Sequence, residues 1–234
     1  MSLPFPYRAV PAVLAGALTA LLAACTPSTA AGAAVPASVP AATPPAVVTP
    51  AAAPASAAAP APVASTLSIP AAGVTGLRVV PYEGTTDDVA GTRIQDLGAA
   101  ASPYGKRGGV GPGQVGNFLV TAHRMSAGGP LGDLPAVGPG DTVLVTVGEV
   151  VYTYEITTTR KTSFRSERSL SEQRAAVPGA PGVAPTQAMI TISTCATPED
   201  HAQGNFWKDA QGNPEHRIDK IGVLRTTSAA VPAG

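Results

Sequence analysis

Charged side chains are scarce in this chain of 234 residues, at 13% of the total, and the 15 basic residues balance the 15 acidic ones. A net charge of zero gives no basic field that would neutralise phosphates, so we predict no nucleic-acid partner. The scarcity is also uneven, because Arg8 is the only charged side chain before Arg78. A globular domain needs a polar surface, and the folding unit is therefore expected to lie after residue 66.

Cysteine is scarcer still, with Cys25 and Cys195 as its two occurrences. Two residues cannot make a disulfide scaffold or a four-cysteine zinc site. The acidic residues are dispersed, and no D-x-[DN]-x-[DN]-G calcium loop occurs. The sequence therefore gives no basis for a metal site or for any cofactor.

Residues 1–25 have the pattern of an export signal. Arg8 precedes a mostly apolar stretch that is shorter than the roughly 20 residues of a membrane-spanning helix. The stretch ends in Leu-Ala-Ala-Cys25, which resembles the lipobox of bacterial lipoproteins, in which the cysteine becomes lipidated. An uncleaved membrane anchor is the alternative. Both interpretations tether the protein to the outer face of the membrane.

Residues 26–66 are predicted to be a disordered linker. Alanine and proline make up more than half of this segment, and it carries no charge. Such a composition cannot bury enough apolar surface to offset the entropy of ordering, and its prolines favour polyproline II. At about 3.1 Å per residue the linker could reach up to roughly 120 Å. It would be a spacer between membrane and domain, which is compatible with an inert low-complexity tract.

The remaining chain divides into a domain at 67–226 and a flexible tail at 227–234. Short apolar runs with frequent turn signals and little helix predict an all-β barrel or sandwich. The clearest element is a hairpin over Thr142–Thr158, in which alternating apolar residues flank a two-residue turn at Gly148-Glu149.

Two short helices and one loop complete this assignment. Thr85–Leu97 is predicted as a helix capped by Thr85 or Thr86. Ser169–Glu172 has capping-box spacing for one or two helical turns. Ser102–Gly116 is rich in glycine and is predicted as a loop.

Cys195 is the only cysteine of the predicted domain and follows the strand-like run Met189–Ile192. It is either a nucleophile or a small buried hydrophobic residue. A catalytic thiol needs a neighbouring imidazole or cation. His123 follows the strand-like run Asn117–Thr121, so parallel neighbouring strands would bring His123 and Cys195 to one rim.

Three other residues are candidates for this chemistry. His201 and His216 lie in or beside a polar segment and are predicted to be solvated loop residues. Arg217 begins the last strand, where it could supply hydrogen bonds to a developing oxyanion or be an ordinary surface residue.

These segments together resemble the sortase family. The resemblance is carried by N-F-L-V-T-A-H-R at 117–124, T-I-S-T-C at 191–195 and R-I-D-K-I-G-V-L at 217–224, supported by I-P-A-A-G-V at 69–74, V-V-P-Y-E-G-T at 79–85 and L-G-D-L-P-A-V-G-P-G-D at 131–141. It spans the whole predicted domain. The export segment, the spacer and the A-H-R motif are most similar to class E or D sortases of high-GC Gram-positive bacteria.

The resemblance implies an eight-stranded β-barrel and a cysteine transpeptidase. Cys195 would attack the Thr–Gly carbonyl of a C-terminal LPxTG- or LAxTG-like sorting signal and form a thioacyl enzyme. His123 would be the general acid and then the general base. Arg217 would hold the substrate backbone and the oxyanion, Thr194 would line the pocket, and Tyr104 would match a family aromatic residue.

The implied partners are surface proteins that bear a sorting signal and the amine of a peptidoglycan precursor, lipid II. The implied location is the extracytoplasmic face of a Gram-positive cell membrane. Three features depart from the family pattern. Ala122 replaces the glycine usual before the histidine, the loop from Cys195 to Arg217 is longer than in many members, and the loop before Asn117, which bears on the match of Tyr104, is extended.

Other functions were considered. An L,D-transpeptidase-like cross-linking enzyme would need a Gly-Cys pair with a closely preceding histidine, which Ser193-Thr194-Cys195 does not supply. A papain-type protease would carry its nucleophile early, on a helix. A non-catalytic lipoprotein binding module with a buried cysteine is the alternative from a different class.

Overall fold

The computed structural model describes residues 62–230, which form a closed barrel of eight strands in the order β1-β2-β3-β4-β7-β8-β6-β5. The strands are β1 Ser65–Ile69, β2 Val74–Glu83, β3 Ala100–Tyr104, β4 Gly116–Thr121, β5 Thr142–Val147, β6 Val150–Ser163, β7 Ala188–Cys195 and β8 His216–Ala229. Three α-helices, α1 Val89–Asp96, α2 Glu167–Arg174 and α3 Thr197–Ala202, and two 3₁₀ turns, Pro70–Ala72 and Leu134–Ala136, lie between them. The predicted eight-stranded all-β barrel is confirmed.

Several predictions fall outside the range that the structure describes. They concern the export segment 1–25 with Cys25, the linker 26–66 as far as residue 61, and the tail from residue 231. Within residues 62–230, the structure contains no helix of the length and hydrophobicity that a membrane crossing requires.

The parallel pair β4–β7 determines which residues meet at one end of the barrel. Its register runs from Gly116 opposite Ala188 to Thr121 opposite Ser193. Parallel strands finish at the same edge of a sheet, so the residues that follow β4 and end β7 meet at one rim. This confirms the strand arrangement predicted for His123 and Cys195.

Strand β8 completes the rim by pairing antiparallel to β7, with Arg217 opposite Cys195. Residues alternate between the two faces of these strands. One face supplies the barrel core, including Phe118, Ile190 and Ile192, which are at most 1% exposed. The other face, which carries Cys195 and Arg217, is buried by polar contacts as well.

Helix α2 covers part of that second face through hydrogen bonds. Asn117 Nδ2 donates to the carbonyl oxygen of Gln173 at 2.9 Å, and Gln173 Nε2 donates to Asp219 Oδ1 at 3.0 Å. Buried polar groups need such partners because an unpaired one costs roughly 1–3 kcal/mol. Strands β4 and β7, and β8 from Arg217 to Val223, are thereby largely buried on both faces.

Both predicted helices are present, but their caps are different. Asp88 caps α1, because its Oδ1 accepts a hydrogen bond from the Gly91 amide at 2.9 Å, so the predicted capping by Thr85 or Thr86 is wrong. Ser166 caps α2 by accepting from the Ser169 amide at 3.2 Å, and the predicted capping box lies inside that helix.

Three boundaries also move. Pairing of β2 with β3 extends through Tyr104, so the first residues of the predicted glycine-rich loop are strand. Strand β1 begins at Ser65, opposite Val79, two residues before the predicted domain. Strand β8 continues through Ala229, opposite Val150, and the barrel includes the first residues of the predicted tail. All three differences arise from main-chain pairing, which the hydrophobic pattern of the sequence does not reveal.

We predict that Tyr154→Phe lowers the free energy of unfolding by about 1 kcal/mol. The fully buried Tyr154 hydroxyl accepts a hydrogen bond from the Gly113 amide at 2.7 Å, and burial raises the pKa of Tyr154 to about 12, which keeps the hydroxyl neutral. Urea denaturation measures the loss. Tyr152→Phe is the matched control, since the Gly113 amide donates to Tyr154 and not to Tyr152. Equal effects of the two changes would contradict the prediction.

Candidate active site

Cys195 and Arg217 meet at the rim of the barrel. The Arg217 Nη1 atom donates to Cys195 Sγ at 2.7 Å. This contact follows from the strand register, which places the two residues directly opposite each other. Arg217 is fully buried, whereas Cys195 is half-buried. The thiol is thus reachable from solvent while its charged neighbour is not.

Arg217 is held on several sides. Its Nη2 atom donates to Asn213 Oδ1 at 2.9 Å and lies 2.6 Å from Asp87 Oδ2 as an ion pair without hydrogen-bond alignment. The guanidinium carbon lies 5.0 Å from the centre of the Phe164 ring, in cation–π geometry. Among residues 62–230, the buried Arg217 Nε atom has no partner.

Burial and charge set the protonation of this pair. Burial alone would lower the pKa of Arg217, but Asp87 and the other anions around it raise that pKa above its ordinary value. Burial also raises the pKa of the Cys195 thiol, which Arg217 opposes and Asp87 reinforces. The resting site therefore holds a guanidinium cation beside a protonated thiol.

His123 lies two residues beyond β4 and lines the same cavity as Cys195, a space of about 340 Å³. Its Nε2 atom donates to Asp96 Oδ1 at 2.8 Å, at the last residue of α1. No hydrogen bond joins His123 to Cys195 in the part of the chain that the structure describes. Both groups line the cavity, so a substrate bond held there would face the thiol and the imidazole.

The cavity walls come from α1 and from the long loop between α3 and β8. Thr92 and Asp96 line one side, and Lys208, Gln211 and Asn213 line the other. The Cys195-to-Arg217 loop, noted in the sequence for its length, is thus a wall of the site and also supplies the amide oxygen that contacts Arg217.

The structure places Thr194 and Tyr104 elsewhere. Thr194 is fully buried, and its hydroxyl donates to the carbonyl oxygen of Ala122 at 2.9 Å, so it does not line the cavity. Its side chain points to the opposite face from Cys195 because residues alternate along β7. Tyr104 lines a separate depression with Glu83 and Arg107.

Arg124 joins the two strand ends. Its Nη1 atom donates to the carbonyl oxygen of Cys195 at 3.4 Å and forms an ion pair with Glu199 of α3. The Arg124 hydrogen bond lowers the pKa of the Glu199 carboxyl. The His123-Arg124 pair of the sequence motif pointed to Arg124. Its contact with the end of β7 could not be predicted, because it depends on how the barrel brings the ends of β4 and β7 together.

Asp219 lies beneath the rim as a buried carboxyl on the same face as Arg217. It accepts hydrogen bonds from Ser193 Oγ and Thr162 Oγ1, both at 2.6 Å, and from Gln173. Burial raises the pKa of Asp219, which these hydrogen bonds and Arg217 oppose. This network fixes the side chains below the nucleophile.

His201 is exposed, as predicted, but it lies in helix α3 and not in a loop, and it packs on Phe206 with ring centres 4.7 Å apart. The prediction for His216 is wrong, because that residue starts β8 and is half-buried. Its Nδ1 atom donates to Asp200 Oδ1 at 2.7 Å, and its amide donates to Asp200 Oδ2 at 3.0 Å. His216 therefore fastens the start of β8 to α3.

Within the chain from 62 to 230, no cluster of three or more histidine, cysteine or acidic side chains is arranged to hold a metal ion. Asp87, Asn213 and Phe164 are the contacts of the site that the sequence did not reveal. Asp87 lies within the segment predicted as a helix, and no sequence spacing relates position 87 to position 217.

We predict that the pH midpoint for alkylation of Cys195 by iodoacetamide is higher in the folded chain than in the urea-unfolded chain. Burial disfavours the reactive thiolate and raises the pKa of Cys195. A Cys25→Ser variant leaves Cys195 as the only thiol. The unfolded sample of the same variant is the control, and a folded midpoint at or below it would contradict the prediction.

Comparison with known proteins identifies the family of this chain. The family model described as "Sortase domain" matches residues 67–210, more than half of the chain. Sortase E from Streptomyces avermitilis is 26% identical, with a TM-score of 0.51, and the match covers 72% of this chain and 91% of that one.

Two further solved structures share the fold. The SrtA sortase from Actinomyces oris is 19% identical with a TM-score of 0.54, covering 74% of this chain and 85% of that one. Sortase E1 from Streptomyces coelicolor, solved with a tripeptide in its active site, is 20% identical with a TM-score of 0.51, covering 70% and 89%. No curated protein matches the chain in sequence. The chain belongs to the sortase family of cysteine transpeptidases.

Proposed function

We propose that in this sortase Cys195 is the nucleophile, His123 the general acid and base, and Arg217 the residue that binds the oxyanion. Sortases are extracytoplasmic bacterial enzymes that act on surface proteins bearing sorting signals and on cell-wall precursors. The observation that carries the proposal is the 2.7 Å contact between Cys195 Sγ and Arg217 Nη1 in a cavity that His123 also lines.

Cys195 and His123 can together supply and accept the protons that two successive acyl transfers require. The Cys195 thiol gives its proton to His123 as sulfur attacks the Thr carbonyl of a Thr–Gly bond. His123 passes that proton to the leaving amine when the C–N bond breaks, which leaves a thioester. An incoming amine then attacks the thioester and loses a proton to His123. That proton returns to Cys195 when the C–S bond breaks.

Arg217 supports the same two steps through its nearest nitrogen. Nη2 is occupied by Asn213 and Asp87, whereas Nη1 contacts the nucleophilic sulfur. Once sulfur is acylated it is a weaker acceptor, and Nη1 can donate to the carbonyl oxygen that becomes negative beside it. In many enzymes, preorganised hydrogen-bond donors of this kind make the largest single contribution to stabilising the transition state.

The cavity favours a short extended peptide as the first substrate. We propose an LPxTG- or LAxTG-like signal, lying between α1 and the loop that carries Lys208 and Gln211. Thr194 would act indirectly, since its bond to the Ala122 carbonyl holds the nucleophile strand against the residue before His123. Tyr104 would contribute outside this cavity, beside the Lys106 and Arg107 side chains.

The finer location and partners belong to this proposal as well. Residues 1–25 would be the signal or anchor with Cys25 lipidated, and 26–66 the spacer that holds the domain away from the membrane. The accepting amine would belong to lipid II or another peptidoglycan precursor. The family match supports this function over an L,D-transpeptidase-like enzyme or a non-catalytic binding module.

We predict that Cys195→Ala abolishes cleavage and transfer of a fluorescent sorting-signal peptide while thermal unfolding stays cooperative. The change removes the sulfur that must carry the acyl group, and the half-buried site tolerates a smaller side chain. Mass spectrometry of the wild type with peptide alone should show a thioester adduct. Cys25→Ala is the matched control and keeps its activity in solution. A cleaving Cys195→Ala variant would disprove the mechanism.

We predict that palmitate labelling of the protein in its host is lost in Cys25→Ala and kept in Cys195→Ala. The Leu-Ala-Ala-Cys25 pattern motivates this expectation. Labelling is measured on the purified full chain after metabolic incorporation. Unchanged labelling of Cys25→Ala would reject lipidation at this residue and leave an uncleaved anchor as the explanation of the segment.

A further inference from the structure

We propose that Asp87 is a positioning residue for transpeptidation, which acts by fixing the direction of the Arg217 guanidinium toward Cys195. The inference rests on the roles proposed above for Cys195 and Arg217. Asp87 touches neither the thiol nor the cavity and so acts through Arg217.

The first argument is the burial of the pair. Asp87 is 3% exposed and Arg217 is 0% exposed, and Asp87 Oδ2 lies 2.6 Å from Arg217 Nη2. Removing two charges from water carries a penalty that their attraction only partly offsets, so a buried ion pair is weak evidence for a role in stability. Fixing one orientation of a planar, forked cation is the function that such a pair performs well.

The second argument is that Asp87 is itself held rigidly. Its backbone has a φ of 57°, in the left-handed region that few residues other than glycine occupy. Asp87 Oδ1 accepts a hydrogen bond from Gln95 Nε2 at 2.6 Å, and Gln95 is 1% exposed. The two carboxylate oxygens are therefore divided between α1 and Arg217. Residues with a strained backbone cluster at active sites, where the strain helps to hold functional groups in place.

The third argument is the geometry that results for Arg217. Asp87 and Asn213 both engage Nη2, and the guanidinium carbon lies over the Phe164 ring. With these contacts made, Nη1 is the nitrogen directed to Cys195 Sγ. Loss of Asp87 would leave a neutral amide and an aromatic ring to hold the cation, and the guanidinium would no longer be fixed.

The position of α1 strengthens this inference. The turn that leads into the helix carries Asp87, and the last helical residue is Asp96, which accepts the hydrogen bond from His123. One short element thus contacts two of the three residues assigned to catalysis. Asp96 is largely exposed and its ion pair is screened by solvent, so Asp87 is the better-defined contributor.

The charged groups around the Cys195 thiol determine how readily it ionises, which gives a second quantity to measure. Arg217 favours the thiolate of Cys195, while Asp87 and Asp209 disfavour it, and Asp219 acts on Arg217 from below. Lys208 and His123 line the cavity, and Arg124 contacts the Cys195 carbonyl. Without Asp87, Asn213 and Phe164 still keep the Arg217 charge near the thiol, although its nitrogens are no longer held in one orientation. Removing Asp87 then takes away an anion that raises the pKa of Cys195, so the thiol should become more reactive.

The test compares Asp87→Asn with the matched control Asp88→Asn. Both changes are made in the full chain that also carries Cys25→Ser. Asparagine keeps the shape of aspartate, tolerates a positive φ and can still accept from Gln95. Asp88 is the neighbouring carboxylate, which caps α1 and does not contact Arg217. We expect Asp87→Asn to lower kcat about 10- to 100-fold with KM little changed, as for a misplaced catalytic group.

The alkylation midpoint of Cys195 should move to lower pH in the same Asp87→Asn variant and stay in place in Asp88→Asn. Slower turnover with a more reactive thiol is a combination that a general loosening of the fold does not give. Wild-type kcat in Asp87→Asn, or an unchanged midpoint, would overturn the inference.

A double-mutant cycle with Arg217→Lys shows whether Asp87 acts through Arg217. Lysine keeps a charge for Asp87 to pair with but lacks the fork that Asp87 directs. We expect Asp87→Asn to lower kcat less than twofold in the Arg217→Lys background. An equal loss in both backgrounds would overturn the inference alone, whereas full activity of Arg217→Lys would overturn the role proposed for Arg217 as well.

If Asp87→Asn does not unfold cooperatively, Gln95→Met takes its place. This change keeps the Asp87 charge and removes the hydrogen bond that fixes the carboxylate. A severalfold lower kcat with unchanged KM supports the inference, and wild-type kcat overturns it.

Discussion

The parallel pairing of β4 with β7 is the constraint on which the rest of the site depends. It makes both strands end at one rim, which brings His123 to the same cavity as Cys195 although 72 positions separate them in the sequence. Antiparallel β8 then places Arg217 opposite Cys195. The thiol and its cation are therefore neighbours through main-chain hydrogen bonds, and the side chains need only small adjustments to reach 2.7 Å.

A second constraint follows, because this register buries the Arg217 cation completely. A buried guanidinium needs compensating charge and hydrogen bonds, since its desolvation is costly. Asp87 from the turn before α1 and Asn213 from the loop before β8 supply them. Helix α1, which follows that turn, and the same loop before β8 form walls of the cavity. Satisfying Arg217 thus also fixes the shape of the space in which a substrate would lie.

Particular elements show how far the sequence could be interpreted. The hairpin over β5 and β6 followed from alternation about Gly148-Glu149, and the motifs at 117–124 and 191–195 indicated the family that the comparison confirmed. The cap of α1 was misassigned because Asp87 turns the chain with a positive φ, which leaves Asp88 to accept from Gly91. His216 appeared polar and solvated by position, but its ring and amide both bind Asp200.

The sequence by itself determined the class of fold, the family and the chemical candidates Cys195, His123 and Arg217, because apolar alternation and short motifs are local properties of the chain. The tertiary structure alone decided which groups surround those candidates. The placement of Asp87 and Asn213 on Arg217, of Asp96 on His123 and of Thr194 away from the cavity depends on strand register and on burial. These contacts join distant segments, and no local pattern encodes them.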